Sequence, residues 1–323
     1  MATPGNGDDF DRLRRVHRVL VMHYVEGLSQ AEIAKRTGMS HPTVNRLVKE
    51  GHERGYVNIS ISSPLQPLFE IEQKLVATKG LSEAIVTPSI SDQEDVNLAT
   101  AGKAAADYLL SKLKDGDTIC VSGGRGVDAV ISALSPNRAY DVTVVPATGG
   151  VQGNFFTDVN HLAAQLARKL NARAFQLHAP VFAHSRDERE VLLSLQSVRD
   201  VLDRARNAAI ALVGIGSVLE ERSTYRSLVA NGSASKELAS VGAVGELIAH
   251  LIDRDGQLCD YELNQRVIGL TLDELHAIPL AIGISSGARK ALPIASVLRG
   301  GHLDVLATDE ATGARILETI KDK

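Results

Sequence analysis

The sequence predicts a two-domain α/β protein, with a helix-turn-helix domain in residues 1–63 and a Rossmann-like sheet domain in residues 64–323. Three observations support this prediction. Leu28 to Lys49 has the pattern of two short helices around a tight turn. Pro64 and Pro67 lie within four residues of each other and mark a linker, because prolines end regular elements. From Ala84 onward, apolar runs alternate with helical stretches, a pattern typical of an α/β sheet.

The first helix of the motif begins with capping chemistry. Ser29 can cap it, and Glu32 follows at the spacing of a capping box. Ile33 gives this helix an apolar inner edge. Gly38 supplies the turn, since a residue without Cβ takes positive φ at little cost. The pattern lies near the N-terminus, after an amphipathic helix predicted for Phe10–Glu26.

The second helix is predicted to be a recognition helix, His41–Glu50. Ser40 caps it, and Pro42 falls in its first turn, where a missing N–H does no harm. Its buried stripe follows the helical period and consists of Val44, Leu47 and Val48. Its outer face carries polar and cationic residues, namely His41, Thr43, Asn45, Arg46 and Lys49.

These residue types read base edges and phosphates, so the pattern favours DNA binding. We assign Asn45 and Thr43 to base edges, and Arg46 and Lys49 to phosphates or guanine. The alternative is an ordinary αα-hairpin, a pattern that also occurs by chance. After Gly55, the alternating segment Tyr56–Ile61 is predicted to form a wing strand. The expected partner is operator DNA.

Composition excludes several classes of protein. With 323 residues, 44% apolar and 23% charged, the chain can build a globular core in two or three domains. Cys120 and Cys259 are far apart and lack metal-ligand spacing, so we expect buried thiols, no metal site and a reducing cytoplasm. The first residues are polar and acidic, and no apolar run could span a bilayer, so we expect no membrane partner.

Charge is distributed unevenly along the chain. The net charge is −4, which argues against general coating of nucleic acid. Residues 1–63 nevertheless carry nine Lys/Arg against seven Asp/Glu, whereas residues 64–323 carry 26 against 32. A slightly basic N-terminal region followed by an acidic C-terminal region is consistent with a local DNA contact.

The second domain is predicted to contain a sheet with helices between most of its strands. Strands are expected at Ala84–Thr87, Thr118–Ser122, Val142–Pro146, Ala174–His178, Ala208–Gly214, Val267–Ile268, Leu280–Ile284 and Val305–Thr308. Helices are expected at Leu68–Ala77, Val96–Leu113, Val127–Leu134, Val159–Leu170, Arg186–Arg206, Leu272–Leu275 and Ala288–Leu298.

Glycines with Ser, Thr or a cation follow four of these strands. In such sheets, ligands bind beyond the carboxyl ends of strands. Glycine lets backbone N–H groups approach an anion, and a following helix directs its positive end there. This favours a phosphate carrying a polyhydroxylated chain, although simple turn chemistry explains each glycine alone. The candidate residues at these ends are Ser122, Gly123, Gly124, Arg125, Thr148, Gly149, Gly150, Gln152, Gly214, Gly216 and Lys290.

None of these loops is a dinucleotide fingerprint. Gly123-Gly124-Arg125-Gly126 has the wrong glycine spacing, and no acidic ribose ligand is placed about 20 residues later. We therefore predict no cofactor.

The chain resembles the SorC/DeoR-like family of bacterial transcription regulators over about residues 12–320. The matching segments occur in the family's order and spacing: Val121–Arg125, Thr148–Gly150, Val213–Gly216, Gly242–Glu246, Asp253–Gly256, Arg266–Gly269 and Lys290 through Leu298–Gly301 to Thr308–Glu310. The resemblance implies a body related to sugar-phosphate isomerases. It also implies a homo-oligomer, often a tetramer, whose DNA affinity changes when a sugar, polyol or sugar phosphate binds.

The resemblance also places the effector over the glycine loops, Gln152, Asp253 and Lys290. Two segments depart from the family pattern. The first loop has Gly123-Gly124-Arg125-Gly126 where an aromatic residue then Gly-Arg-Thr is common, and Ser285-Ser286-Gly287 stands where Gly-Gly is common. Effector identity and its phosphorylation therefore stay open at this stage.

Two alternatives compete with a regulator. The first is an isomerase or deaminase of sugar phosphates, whose carboxylate or imidazole groups would be Asp253, Asp309, Glu310 or His178. The second is a purely structural oligomer, which leaves the polar outer face of the recognition helix unexplained. We predict that the chain is not an enzyme.

Overall fold

A computed structural model describes residues 7–59, 63–78, 80–151, 158–219, 225 and 238–321. Contacts divide the chain into two units, Met1–Pro64 and Leu65–Lys323. The first unit has its own hydrophobic core, and two further large clusters lie within the second.

The first unit contains helices α1 (Gly7–Tyr24), α2 (Gln30–Thr37) and α3 (His41–Glu53). The predicted helix-turn-helix is confirmed. Ser29 and Glu32 form the capping box of α2, and Gly38 ends that helix with φ at 72°. Ser40 accepts the first hydrogen bond of α3 from the Thr43 N–H. These local bonds fix where each helix starts, so the predicted bounds are close to those observed.

The predicted wing is not seen in the described part of its segment. Residues 56–59 form no strand, and the described part of this unit contains no strand that could pair with them. Tyr56 and Ile59 are exposed, whereas Val57 packs against the helical core. Ser60 and Ile61 lie outside the described residues.

The second unit is built on a mostly parallel sheet, as predicted. Its main strands are β1 (Glu83–Thr87), β2 (Thr118–Val121), β3 (Thr143–Pro146), β4 (Arg173–Ala174), β5 (Ile210–Ser217), β8 (Ala281–Ile284) and β9 (Val305–Asp309). Their spatial order is β1-β9-β8-β5-β2-β3-β4, with all neighbours parallel. The order reverses direction between β2 and β5.

A short antiparallel hairpin extends this sheet and was not predicted. Strand β6 (Gly245–Leu247) pairs with the far end of β5, and β7 (His250–Ile252) pairs with β6. The strand predicted at Val267–Ile268 is absent. Val267 makes only an isolated antiparallel bridge to Phe182.

Helices cover both faces of the sheet. They are α4 (Gln66–Val76), α5 (Glu94–Lys112), α6 (Arg125–Ala133), α7 (Val159–Leu170), α8 (Arg186–Ser194), α9 (Gln196–Arg206), α10 (Leu272–His276), α11 (Ala291–Gly300) and α12 (Glu310–Lys321). Short 3₁₀ turns span Glu262–Arg266 and Ala288–Lys290.

The predicted helices differ from the observed ones in two places. The single helix predicted at Arg186–Arg206 is split at Leu195, where the backbone is extended. Helix α9 buries a continuous apolar stripe, whereas α8 has no buried residue, so the two helices meet different environments. Helix α12 was not predicted.

The sheet lies between two apolar layers. One face packs against α4, α9, α11 and α12, and the other against α5, α6 and α7. Successive residues of β2 alternate accordingly: Cys120 belongs to the first layer, whereas Ile119 and Val121 belong to the second. The carboxyl ends of the strands are thereby held in fixed register.

Candidate functional site

The outer face of α3 is polar and open. Val44, Leu47 and Val48 are buried in the first unit, so the opposite face is turned outward. Asn45 and Arg46 are exposed on that face. The exposed side chains of His41 and Lys49 lie on the same side of the helix as these two residues.

Two of these side chains already have partners within the chain. The Thr43 hydroxyl lies 2.8 Å from the Ser40 hydroxyl, and Thr43 is half-buried. Lys49 Nζ lies 3.7 Å from Glu53 Oε1, an exposed pair one turn along the helix. Exposed pairs of this kind are weak, so Lys49 is easily redirected.

A buried carboxylate anchors α3 from behind. Glu50 is 8% exposed and pairs with Arg12 of α1 and with Arg54, both at 2.9 Å. The hydrogen bond from Arg12 lowers the pKa of Glu50 below its ordinary value. Sequence reasoning missed this residue. The available signal was an acidic residue placed next to the apolar stripe of α3.

The second candidate site lies where the strand order reverses, between β2 and β5. The Ser122 hydroxyl donates to Gly123 O and accepts from the Gly214 N–H, each at 3.0 Å. A Cβ on Gly214 would lie 3.4 Å from Gly123 O. The loops after these two strands are therefore in direct contact, at the position where such sheets bind ligands.

The loop after β8 joins the same edge. Gly126, in the first turn of α6, lies so close to Ile284 that a Cβ there would be 2.7 Å from the Ile284 carbonyl oxygen. Gly287 has φ at 113°, a conformation that glycine adopts freely. The loop then enters the 3₁₀ turn that ends at Lys290.

Asp309, at the end of β9, holds this loop in place. Its carboxylate accepts hydrogen bonds from the hydroxyls of Ser89, Ser286 and Thr312 and from the N–H groups of Gly287 and Thr312. Burial acts to raise the pKa of Asp309, but these hydrogen bonds outweigh it and hold the pKa below its ordinary value. The role of this carboxylate is therefore to hold the Ser286–Gly287 loop in place.

Glu246 is a carboxyl group at this edge that sequence reasoning did not select. Gly216 pairs with Glu246 in the β5–β6 ladder, and a Cβ on Gly216 would lie 2.4 Å from Glu246 Oε2. Burial raises the pKa of Glu246 to about 7, and the charge of Lys290 acts in the opposite direction. Glu246 lies 44 positions before Lys290 in the chain, so no local spacing could have paired them.

Arg125 also has a carboxylate partner. Its Nη1 lies 3.2 Å from Asp95 Oδ1, in the first turn of α5, and both side chains are exposed. This ion pair lies beside the Gly123–Gly124 loop because Arg125 is the first residue of α6.

The loop after β3 is closed by backbone bonds. Thr148 is buried and forms a bridge with Gly269. The N–H groups of Gly149 and Gly150 donate to Ile268 O at 2.7 Å and to Ala179 O at 2.8 Å. The predicted site residue Gln152 lies outside the described residues.

Asp253 lies in a tight turn after β7. Its Oδ1 accepts from the N–H groups of Asp255 and Gln257, both at 2.9 Å. The carbonyl of the next residue, Arg254, accepts hydrogen bonds from Ser296 and Arg299 in the second half of α11. Lys290 immediately precedes that helix, so the turn packs toward its other end.

The described residues contain no group of three or more His, Cys, Asp or Glu side chains that could hold a metal ion. Cys120 and Cys259 are both buried free thiols. In the same part of the chain, no helix is long and apolar enough to cross a membrane.

Comparisons with known proteins agree with this arrangement. The sugar-binding domain family model matches residues 63–318, and the MarR family model matches residues 11–63. The transcriptional regulator LsrR of Escherichia coli is 30% identical over 309 residues, covering 94% of this chain and 95% of LsrR. The erythritol catabolism regulatory protein EryD of Brucella abortus is 28% identical over 302 residues, covering 93% and 95%.

A solved structure of a regulator also matches this chain over nearly its whole length. The full-length sorbitol operon regulator SorC from Klebsiella pneumoniae superposes with a TM-score of 0.74 and 26% identity, covering 95% of this chain and 99% of SorC. These relatives are regulators, which favours regulation over the isomerase or deaminase alternative. The chain belongs to the SorC/DeoR-like family of transcriptional regulators, which join a helix-turn-helix to a sugar-binding domain.

Proposed function

We propose that this protein binds operator DNA through α3 and responds to a sugar, polyol or sugar phosphate at the carboxyl edge of its sheet. The observation that supports this proposal most strongly is the α2–α3 motif, whose apolar face is buried while Asn45 and Arg46 are exposed. In this proposal, residues 1–63 bind DNA and residues 64–323 bind the effector and oligomerise. The name of EryD supports control of a carbohydrate catabolic operon.

In the DNA complex, Asn45 and Thr43 read base edges, while Arg46, Lys49 and His41 contact phosphates or guanine. Asn offers a donor and an acceptor that match adenine, and Arg matches guanine or phosphate. The Thr43 hydroxyl can still accept a hydrogen bond beyond its contact with Ser40.

The effector-binding residues are the loops that meet between β2, β5 and β8, with Lys290 and Glu246 beside them. We retain Ser122, Gly123, Gly124, Arg125, Thr148, Gly149, Gly150, Gln152, Gly214, Gly216, Asp253 and Lys290 as the candidate set. The N–H groups of Gly149 and Gly150 already donate to carbonyls within the chain, so these residues would form walls of the site rather than donors. Asp253 is the least supported member of the set, because its turn packs along the half of α11 that is remote from Lys290.

A ligand in contact with several of these loops changes their packing and hence the protein's affinity for DNA. The change cannot exceed the ligand's differential affinity for the two states. We further propose that the protein is a homo-oligomer, a dimer or tetramer, that reads an inverted repeat. Sedimentation at the DNA-binding concentration tests this part, and a monomer there would contradict it.

The function is tested with the full chain and an operator selected from random DNA. Operator affinity is then measured by fluorescence anisotropy with and without each member of a sugar, polyol and sugar-phosphate panel. We expect one specific operator and at least one compound that changes the affinity. A protein that binds all DNA equally, or whose operator affinity no compound alters, would contradict the proposal.

A further inference from the structure

A cavity of about 420 Å³ lies in the second unit, at residues other than the candidate effector loops. Its lining includes His302, which follows the C-terminal end of α11, and Asp273 of α10. His276, at the end of α10, contacts the Gly301 carbonyl oxygen at 2.8 Å, so these two helix ends lie together near the amino ends of β8 and β9. None of the described candidate effector residues lines the cavity, whose volume is in the usual range for small-molecule sites.

His250 presents an unpartnered ring nitrogen to this cavity. The residue is only 5% exposed, and its Nδ1 lies 3.0 Å from the Ile248 carbonyl oxygen. A carbonyl can only accept, so Nδ1 carries the proton and Nε2 carries a lone pair. Burial lowers the pKa of His250 to about 4, and the charge of Arg189 acts in the same direction, so the ring is neutral. No group of the described residues donates to Nε2, so a donor there must come from a ligand or from water.

Arg189 of α8 supplies a cation to the same cavity. It is half-buried, and its Nε donates to the Val267 carbonyl oxygen at 2.8 Å. That bond holds the guanidinium in place and leaves its two terminal nitrogens, for which the described part of the chain provides no carboxylate. A half-buried cation without an anion is unfavourable, and two terminal N–H groups match a carboxylate in a bidentate arrangement.

The rest of the lining limits the charge and the shape of a ligand. Gln265 is half-buried, and its amide has no hydrogen-bond partner among the described residues. Leu272 is buried and gives the cavity an apolar surface. Asp273 is exposed and negative, so it would repel a doubly charged phosphate ester more strongly than a singly charged carboxylate.

We propose that this cavity binds a small carboxylate that carries hydroxyl groups, such as a sugar acid. The carboxylate oxygens accept from the terminal nitrogens of Arg189, and a ligand hydroxyl donates to Nε2 of His250. The Gln265 amide bonds to a second hydroxyl. The inference goes beyond the proposed function and does not depend on it, because the cavity and the effector loops are formed by different residues.

The first experiment is calorimetry of the full chain with hydroxylated and plain acids of matched length. The probes are glycerate, erythronate and gluconate, beside propionate, butyrate and hexanoate. We expect one hydroxylated acid to bind at least about fivefold more tightly than its plain counterpart, the effect of roughly one hydrogen bond. Inorganic phosphate, added as a competitor, should not displace it.

Substitutions then locate the bound acid. Arg189→Gln should weaken its binding at least about tenfold, because charge-assisted hydrogen bonds are lost. The control is Arg199→Gln, which removes an exposed arginine of α9 that contacts Gln196 and should change nothing. Lys290→Ala, at the effector loops, should also leave the affinity for the acid unchanged.

A further substitution tests the acceptor on His250. His250→Asn keeps an amide N–H that can donate to the Ile248 carbonyl oxygen but has no group in the place of Nε2. We expect it to weaken the hydroxylated acid about fivefold and to leave the plain acid unchanged. Thermal unfolding establishes that the variant is folded. Arg189→Gln alters a half-buried side chain, so it tests the inference even if His250→Asn is unstable.

The possible results separate this cavity from the effector site. If no hydroxylated acid binds, or if Arg189→Gln and Arg199→Gln have equal effects, the inference is wrong. If Lys290→Ala abolishes binding while Arg189→Gln does not, the acid binds at the effector loops and the cavity assignment is wrong. Displacement by inorganic phosphate would overturn the carboxylate class. None of these results bears on whether another compound changes operator affinity.

Discussion

The outer face of α3 and the carboxyl edge of the sheet use polar residues in opposite ways. On α3, Asn45 and Arg46 project into solvent from a helix whose other face is buried. At the sheet edge, by contrast, the loops are tied to one another, as where the Gly214 N–H donates to the Ser122 hydroxyl and the Gly287 N–H donates to the Thr312 hydroxyl. The first surface presents side chains to solvent, whereas the second is built mainly from loops that bond within the chain.

This difference indicates different ligands. A polyanion such as DNA gains affinity from accessible cations and from the counterions they release. A small ligand at the sheet edge gains affinity from donors and acceptors that several loops hold in fixed positions. The two surfaces thus differ in the groups they present, side chains on α3 and loops at the sheet edge.

The largest expected effect concerns the rigidity of the sheet edge. Asp309→Asn replaces a buried acceptor of five hydrogen bonds with an amide whose NH₂ group faces donors. We expect a loss of about 3 kcal/mol in the free energy of unfolding, since hydrogen bonds to a buried charge are among the stronger ones. Urea denaturation measures this. A loss below about 0.5 kcal/mol would show that the carboxylate does not hold the Ser286–Gly287 loop.

The next effect concerns DNA recognition. Asn45→Ala and Arg46→Ala should each weaken operator binding by about 1–3 kcal/mol, and Asn45→Ala should relax specificity at one base pair. Lys103→Ala is the control, because it removes a positive charge from α5 in the other unit. Anisotropy at fixed salt measures the affinities. Unchanged affinity in both α3 variants would remove the recognition-helix assignment.

Glu246 gives a pH-dependent effect of intermediate size. Its pKa of about 7 in the folded protein exceeds the ordinary value of 4.5 because of burial. The folded state therefore keeps a proton that the unfolded chain releases, so stability should fall by up to about 2 kcal/mol as pH rises from 5 to 8. Glu246→Gln should lose less over this range, whereas the exposed control Glu70→Gln should follow the wild type. Parallel curves for all three proteins would rule out this titration.

Lys49 should give the smallest effect. Its ion pair with Glu53 is exposed and 3.7 Å long, so breaking it for a phosphate costs little. Lys49→Ala should weaken every DNA sequence alike and reduce the slope of log affinity against log salt by about 1. A loss confined to one operator sequence would instead indicate that Lys49 reads a base.

Local chemistry explains which parts of the structure could be predicted. The helix-turn-helix depends on Ser29, Glu32, Gly38 and Ser40, whose effects extend over a few residues. Helix α7 begins and ends where its apolar period does, at Val159 and Leu170. The sheet followed from apolar runs that alternate with helical stretches, because the central strands β2, β3, β5 and β8 are mostly buried.

The remaining features depend on contacts between distant residues. Strands β6 and β7 have three residues each and exist only because they extend β5. The Arg125–Asp95 pair joins residues 30 apart. Sequence alone named Arg125 as a cation at the candidate site but gave no partner for it, because the pairing with Asp95 depends on how α5 and α6 pack together.

The central claim is that a sugar, polyol or sugar phosphate at the carboxyl edge of the sheet controls operator binding by α3. The most direct test is operator anisotropy with the wild type and Lys290→Ala, each titrated with a compound that changes wild-type operator affinity, and with Lys103→Ala as the control. We predict that Lys290→Ala binds operator normally without the compound but needs about tenfold more of it, the loss of roughly one charge-assisted hydrogen bond, whereas Lys103→Ala responds as the wild type does. An unchanged response in Lys290→Ala, or operator binding that no compound alters in the wild type, would contradict the claim.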